Sequence, residues 1–467
     1  MVAKPTTLTP RGRQSDIVYL RPDRHQVVLG TAGTGKSTMA MLRAAHLAHP
    51  ITPGSGRVLL VTYNNTLVTY LKYLAPAVAT NITIETYGKF ARGYLASVGK
   101  MPYSGGIASI NQRESWVSAA VQRVSETYNP SNFFKRKVRF FLDELQWITG
   151  MGIESCDQYI QADRIGRKKP LTDSARRAVW KILDEYRRIR AENHVKYDWY
   201  DIASSVRTEL AGDNRPRHYK HVIIDEGQDL SPESIRSLVA TVPENGSVSF
   251  FGDYHQQIYG EGLSWRSCGL NIRSVQRFAN NYRNTAEIAR VAIAMSQMPH
   301  MTGDLNDLVE PIEPSAAGAP PTLVKCKSEQ AELSLIQRQA AQFAKSGTVA
   351  VLARTWADAR RACGSLRVRE LAKDLTHWDV TPGIYCGAYH SAKGLEFDAV
   401  LMPFCNDQTV PDPEIVAAFG NDEAASREGR LLYVSATRAR TDLIVSFTGT
   451  VTPLLPTSTD IWARVEL

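Results

Sequence analysis

The sequence predicts an α/β fold of two parallel-sheet cores, with a helical insert interrupting the first. Three observations predict it. Short β-branched runs recur along the chain, each ending at a polar or glycine-bearing turn, the pattern of strands buried on both faces. Helical stretches separate many of these runs, as crossovers between parallel strands require. The runs also fall into two groups, an early one broken between residues 95 and 205 and a late one beginning near residue 320.

In chain order, the early group reads as strands over 26–29, 57–63, 221–224 and 248–251. The late group reads as strands over 348–353, 399–404 and 442–447, with others around Thr322, Val349 and Ile384. Inside the break, Val179, Ile182, Leu183, Tyr186 and Ile189 recur at helical spacing over 174–192, with a basic opposite face. The stretch PIEPSAAGAPP at 311–321 carries few large apolar groups and reads as a linker inside the second core.

Composition narrows the class. The chain has 467 residues, 43% hydrophobic and 22% charged, with a formal net charge of +8. These are the proportions of a globular protein long enough for several cores, without an apolar run of membrane-spanning length. The first residues, MVAKPTTLTPRGRQSD, lack the apolar stretch of a secretory signal, so a cytoplasmic location is expected, nucleoid-associated in a bacterium. Cys156, Cys268, Cys326, Cys363, Cys386 and Cys405 lie far apart without a CxxC pair, which argues against a zinc module or an iron–sulfur cluster. The positive charge favours a polyanionic partner. Most of the surplus lies in residues 131–200, with the densest runs KRKVR at 135–139 and RIGRKK at 164–169, so the insert is expected to present a strand-contacting surface.

The chemistry begins after the first strand. Gly30, Thr31, Ala32, Gly33, Thr34, Gly35, Lys36 and Ser37 satisfy G-x-x-x-x-G-K-[ST] between an apolar run and a helix. Glycines allow successive backbone N–H groups to point inward at phosphate oxygens, and the helix N-terminus adds partial positive charge. Lys36 is expected to reach the β/γ-phosphates of a bound nucleotide and Ser37 to hold Mg²⁺ through its hydroxyl. The run HVIIDEGQD at 221–229 then places Asp225 and Glu226 at the end of an apolar strand, where carboxylates reach a ligand at the sheet edge. Asp225 suits the metal, and Glu226 can orient and deprotonate the attacking water.

At this point the chain resembles the UvrD/Rep family of superfamily 1 DNA helicases, in the family's motif order and over nearly its whole length. TYNNTL at 62–67 and ETYGKFA at 85–91 resemble its second motif and the strand-contacting segment after it. DEGQD at 225–229, GDYHQQIY at 252–259, NYRNT at 281–285, HSAKGLEFDAV at 390–400 and LLYVSATRAR at 431–440 match further motifs, and VLART at 351–355 and DWYD at 198–201 resemble lesser ones. The resemblance implies two RecA-like P-loop NTPase domains with parallel sheets, 1–94 with 206–277 and then 278–467, and the helical basic insert at 95–205. It implies that Tyr282 stacks on the adenine, Gln14 reads its edge and Glu396 contacts the ribose. It implies that Arg283 and Arg438 reach the γ-phosphate from the second core and that Gln256 senses it. Tyr63, Asn64, Thr86, Tyr87, Tyr259, Trp265, Arg354 and His390 fall in segments that line the family's nucleic-acid path, where aromatic faces accept any base.

The chain also departs from the family. Thr38 stands where many relatives carry an Arg beside the base, Gly88 replaces a common His, and GEGLS lengthens the segment between Tyr259 and Trp265. Only 104 residues separate Thr285 from His390, too few for the large accessory insert usual there, and the 27 residues after Arg440 are too few for the nuclease domain of some relatives. A short, two-motor form is expected.

The leading functional expectation is an ATP-dependent, Mg²⁺-requiring translocase and helicase that acts on single-stranded DNA, or DNA with a single-stranded tail, and moves 3′ to 5′ as the resemblance implies. RNA stays open, because phosphates and base faces are common to both. The alternative is an ATP-gated nucleic-acid sensor or clamp that recruits a partner such as a nuclease and unwinds little itself. A small-molecule kinase would fit the phosphate loop but leaves GDYHQQIY, HSAKGLEF and Arg438 unexplained.

Overall fold

The computed structural model describes residues 9–10, 12–31, 33–75, 80–102, 105–127, 132–164, 167, 170–253, 265–279, 281, 283–301, 314, 316–372 and 375–467. Of the expected site residues, Ala32, Gln256, Tyr259 and Tyr282 lie outside them, as does part of the expected linker at 311–321.

Among the described residues the first sheet contains β1 (Gln26–Gly30), β2 (Val58–Thr62), β3 (Ile82–Thr86), β4 (His221–Ile224), β5 (Ser247–Gly252) and β6 (Val275–Phe278). Their order is β3-β2-β4-β5-β1-β6, and every neighbouring pair is parallel. Its helices are α1 (Gln14–Val18) before β1, α2 (Lys36–Ala48) between β1 and β2, α3 (Asn65–Leu74) between β2 and β3, and α4 (Tyr87–Ser97) after β3. The insert follows as α5 (Ile110–Thr127), α6 (Val138–Met151), α7 (Cys156–Gln161) and α8 (Asp173–Glu192). The chain then returns through α9 (Ile202–Gly212) to β4, and α10 (Pro232–Val239) precedes β5.

The second sheet contains β7 (Thr322–Cys326), β8 (Thr348–Ala353), β9 (Val368–Glu370), β10 (Gly383–Ala388), β11 (Phe397–Met402), β12 (Ala439–Thr448) and β13 (Ala463–Glu466). It runs β13-β7-β12-β11-β8-β10-β9, also parallel throughout. Its helices are α11 (Ala286–Ser296), α12 (Glu329–Phe343), α13 (Trp356–Cys363), α14 (Pro413–Phe419) and α15 (Asn421–Ala436). No helix among the described residues is long and apolar enough to cross a membrane.

The strands legible in the sequence are the central ones. β2, β4 and β5 are buried at every residue because helices cover both faces, which demands an unbroken apolar run. The strands the sequence did not announce, β3, β6, β9 and β13, are short and partly or, in β13, fully exposed, with polar alternates such as those of VQRF and ARVE. The expected strand at 399–404 lies instead at Phe397–Met402, because Pro403 cannot donate to the ladder and Phe404 takes a φ of +60°. The one expected at 442–447 extends to Ala439–Thr448.

The insert has its own apolar centre, where Phe141, Trp147, Tyr159, Val179, Ile182 and Tyr186 pack together, as the helical spacing over 174–192 predicts. Phe419 at the end of α14 is buried in that same centre, so the second core reaches across to the insert. A charged clamp seals the contact: Arg427 on α15 donates to both carboxylate oxygens of Asp143 on α6, at 3.0 and 2.8 Å.

Part of the expected basic charge is neutralised inside the insert. Arg164 pairs with Glu144 at 2.6 Å, Arg167 pairs with Asp143, Arg190 pairs with Asp201 at 2.6 Å, and Arg176 caps the carbonyls of Tyr159, Ile160 and Ala162. RIGRKK therefore contributes structural arginines where it is described. A charge count cannot distinguish a solvated cation from one already neutralised by a neighbouring acid. Lys135, Arg136, Lys137 and Arg139 do remain exposed.

Candidate functional site

In the first sheet β1 lies beside β5, and β5 beside β4, so the loops after these three strands open next to one another at the carboxyl edge. Each supplies a charged group. The loop after β1 leads into α2, whose first residue is Lys36, and Gly33 and Gly35 adopt the left-handed conformation (φ +79°) that glycine allows at no steric cost. Lys36 Nζ donates to the carbonyls of Gly30 at 2.8 Å and Thr31 at 2.7 Å and lies 3.4 Å from the Asp253 carboxylate beyond β5. Burial pushes this ammonium below its ordinary pKa, while Asp253 and Glu226 pull it back. Thr34 Oγ1 donates to the Thr31 carbonyl at 3.0 Å, and Gln14 Nε2 donates to the Thr34 carbonyl at 2.9 Å, bracing the loop from α1. Ser37 and Thr38 are half-buried on the first turn of α2.

After β4, Asp225 and Glu226 are both buried. Neither carboxylate oxygen of Asp225 has a hydrogen-bond partner. Its pKa is pushed up to about 7, first by burial and then by Glu226, with the nearby Ser37 hydroxyl and Lys36 drawing it partly back. An unsatisfied buried carboxylate beside a hydroxyl is the kind of site a divalent cation completes. Among the described residues no group of three or more His, Cys, Asp or Glu forms a protein-only metal cage. Glu226 behaves oppositely. Burial pushes its carboxyl up, but Lys393, Lys36 and Arg438 outweigh that and hold it below its ordinary value. Its left-handed backbone (φ +54°) costs about 1–3 kcal/mol in a residue with a side chain.

The second core contributes the facing wall. Arg438 immediately precedes β12 and Glu396 immediately precedes the neighbouring β11, so both stand at the amino edge of that sheet. Arg438 is fully buried and donates to the Val434 carbonyl at 2.8 Å, and burial followed by Arg283 lowers its pKa to about 10. Arg283 pairs with Glu396 at 2.7 Å, and its Nε, also buried, has no partner. The residues expected at the γ-phosphate and the ribose are thus held against each other. The sequence reading did not single out Asp253, nor Lys393, which reaches from the second core to Asp229 of the first at 2.5 Å. Both lie in motifs already quoted, GDYHQQIY and HSAKGLEF, and that was the available signal.

The residues expected on nucleic acid divide. Tyr63, just past β2, is 42% exposed and His390, just past β10, is exposed. Asn64 caps α3 by accepting from Leu67 N at 2.6 Å, and Thr86 caps α4 by accepting from Lys89 N at 3.3 Å. Tyr87 is turned away from solvent. It is buried in the first core with its hydroxyl 2.7 Å from Ser237 Oγ, because the first turn of α4 directs it inward. Arg354 is tied into ion pairs with Glu428 and Asp412. Trp265 is half-buried, its ring edge-on to Phe250 with centroids 4.8 Å apart, so much of its face serves the core. An aromatic residue outside the expected set is better displayed. Trp199 is 44% exposed and lies against Gly88, where a Cβ would come within 2.9 Å of its ring. The glycine that replaces the family's His makes room for it.

Fold and site together define a P-loop NTPase built from two parallel α/β cores, with Arg283 and Arg438 of the second close enough to the phosphate loop of the first to act on Lys36. The UvrD/REP helicase N-terminal domain model matches residues 12–282, more than half of the chain, and the UvrD-like helicase C-terminal domain model matches 366–450. The chain belongs to the UvrD/REP helicase family. Among relatives, it is 23% identical over 549 residues to the ATP-dependent DNA helicase UvrD2 of Mycobacterium tuberculosis, covering 92% of this chain and 77% of that one. It is also 23% identical over 308 residues to the ATP-dependent DNA helicase UvrD1 of Mycobacterium leprae, covering 60% of this chain and 36% of the relative.

Proposed function

We propose that the protein hydrolyses ATP between its two cores to move 3′ to 5′ along single-stranded DNA and displace a paired strand. The observation that carries the reading is the convergence of the buried Lys36, Glu226 and Arg438 with the half-buried Arg283, drawn from both cores into one cleft. The triphosphate would take over the Lys36 contacts now made to loop carbonyls. Glu226, kept ionised by the cations around it, would accept the proton of the attacking water. Ser37 and Asp225 would hold Mg²⁺, which would supply charge neutralisation to the triphosphate. Arg283 would leave Glu396 for the γ-phosphate and release that carboxylate to the ribose. Arginines at this position are worth about 10³–10⁵ in rate, and because they come from the other core, turnover is linked to closure. Tyr63 and Trp199 would stack on bases at about 1–3 kcal/mol each, comparable to the roughly 1.4 kcal/mol of stacking lost per opened base-pair step.

Strand displacement on duplexes with a 3′ tail, a 5′ tail or none tests this. Displacement from 3′ tails with single-strand-stimulated ATPase is expected. Displacement from 5′ tails alone would sink the polarity, and stimulated ATPase without displacement would favour the sensor reading.

A further inference from the structure

The two arginines of the cleft sit on separate segments of the second core, and two asparagines link those segments. Asn281 Oδ1 accepts from the backbone N–H groups of Arg283 at 2.9 Å and Asn284 at 3.1 Å, closing the turn that carries Arg283. Asn281 Nδ2 donates to Asn284 Oδ1 at 2.8 Å. Asn284 Nδ2 donates in turn to the carbonyls of Thr437, at 3.1 Å, and Ala439, the residues on either side of Arg438. Asn284 is buried.

The same pair touches the phosphate loop. A Cβ on Gly33 would fall 1.9 Å from Asn281 Oδ1 and 2.9 Å from Asn284 Oδ1, so the close approach depends on glycine there. Three parts of the cleft, the loop at Gly33, the turn of Arg283 and the backbone around Arg438, thus meet on two side-chain amides. A buried polar network with its members satisfied fixes geometry more tightly than apolar packing does.

We propose that Asn284 is a positioning residue for ATP hydrolysis: it sets Arg438 relative to Arg283 and registers both against the phosphate loop. The inference rests on the cleft hydrolysing ATP as proposed above. Asn284 touches no reacting atom in this scheme and acts through the arginines, where a displacement on the order of 1 Å can cost about 100-fold in rate.

The experiment compares wild type, Asn284→Ala, Asn284→Asp, Arg438→Lys and the double variant Asn284→Asp with Arg438→Lys. Readouts are kcat for ATP, affinity for a non-hydrolysable ATP analogue, and melting temperature. Asn284→Asp keeps the volume and the acceptor for Asn281 but loses both donated hydrogen bonds, so it serves if Asn284→Ala folds poorly. We expect kcat to fall by about 10- to 100-fold with analogue affinity nearly unchanged, and the double variant to be little slower than Arg438→Lys alone, the mark of residues acting as a unit. Unchanged kcat, losses that multiply in the double variant, or a loss of rate that merely tracks a loss of melting temperature in both Asn284 variants would each overturn the proposal. Wild type without ATPase activity would instead overturn the reading of the cleft itself.

Discussion

Lys393 of the second core donates to Asp229 of the first at 2.5 Å, with both side chains buried. Asp229 closes the same short loop that carries Glu226, and Lys393 is the strongest of the cations holding the Glu226 carboxyl below its ordinary pKa. One ammonium therefore joins the cores and keeps the proposed base ionised.

Lys393→Ala should act twice. Leaving Asp229 buried without its cation is expected to cost about 3–5 kcal/mol, read by urea denaturation. Burial then opposes ionisation of Glu226 with less resistance, so the acid limb of the ATPase pH profile should move to higher pH. An unshifted limb would detach Lys393 from the base.

Asp225 gives a stability prediction with a definite sign. Its folded pKa of about 7 lies above the ordinary 3.8, so the folded protein binds the proton more tightly than the unfolded chain. This carboxyl's contribution is therefore complete below pH 3.8 and is lost as pH rises through about 7. The loss is on the order of 4 kcal/mol at roughly 1.4 kcal/mol per unit. Asn in its place removes the titration, so the stability difference between Asp225→Asn and wild type should grow in favour of the variant from pH 4 to 7. A constant difference would mean that Asp225 is ordinary.

The aromatic residues should separate into two kinds. Tyr63→Ala and Trp199→Ala are each expected to weaken single-strand binding by about 1–3 kcal/mol in a fluorescence titration, with little effect on folding. Tyr87→Phe should leave that binding intact and lose about 0.5–1.5 kcal/mol of stability with its Ser237 hydrogen bond. A binding defect in Tyr87→Phe would place it on the nucleic-acid path.

The insert should be fastened to the second core by Arg427. Arg427→Ala removes the forked pairing with Asp143 and should cost about 1.5–3 kcal/mol, with faster amide exchange in α6 and α14. Exchange unchanged in both helices would show that the apolar packing of α14 holds the contact without it.

The sequence by itself determined the two-core architecture and where the phosphate-loop and acidic motifs fall in it. Apolar runs such as VLLV and VII mark strands covered on both sides, and GTAGTGKS and DEGQD mark the strand ends expected to meet a phosphate, because local backbone needs dictate those residues. Tertiary structure decided what each side chain spends itself on. Tyr87 is an aromatic in a strand-contacting motif, yet the first turn of α4 aims it into the core. The arginines of the insert add to a positive charge count, yet Glu144, Asp143 and Asp201 already neutralise several of them. Trp199 and Gly88 lie more than a hundred residues apart in sequence and in contact in the fold. Composition and spacing record which groups are present, whereas orientation, pairing and exposure depend on neighbours brought together from distant parts of the chain, and only the folded molecule specifies those.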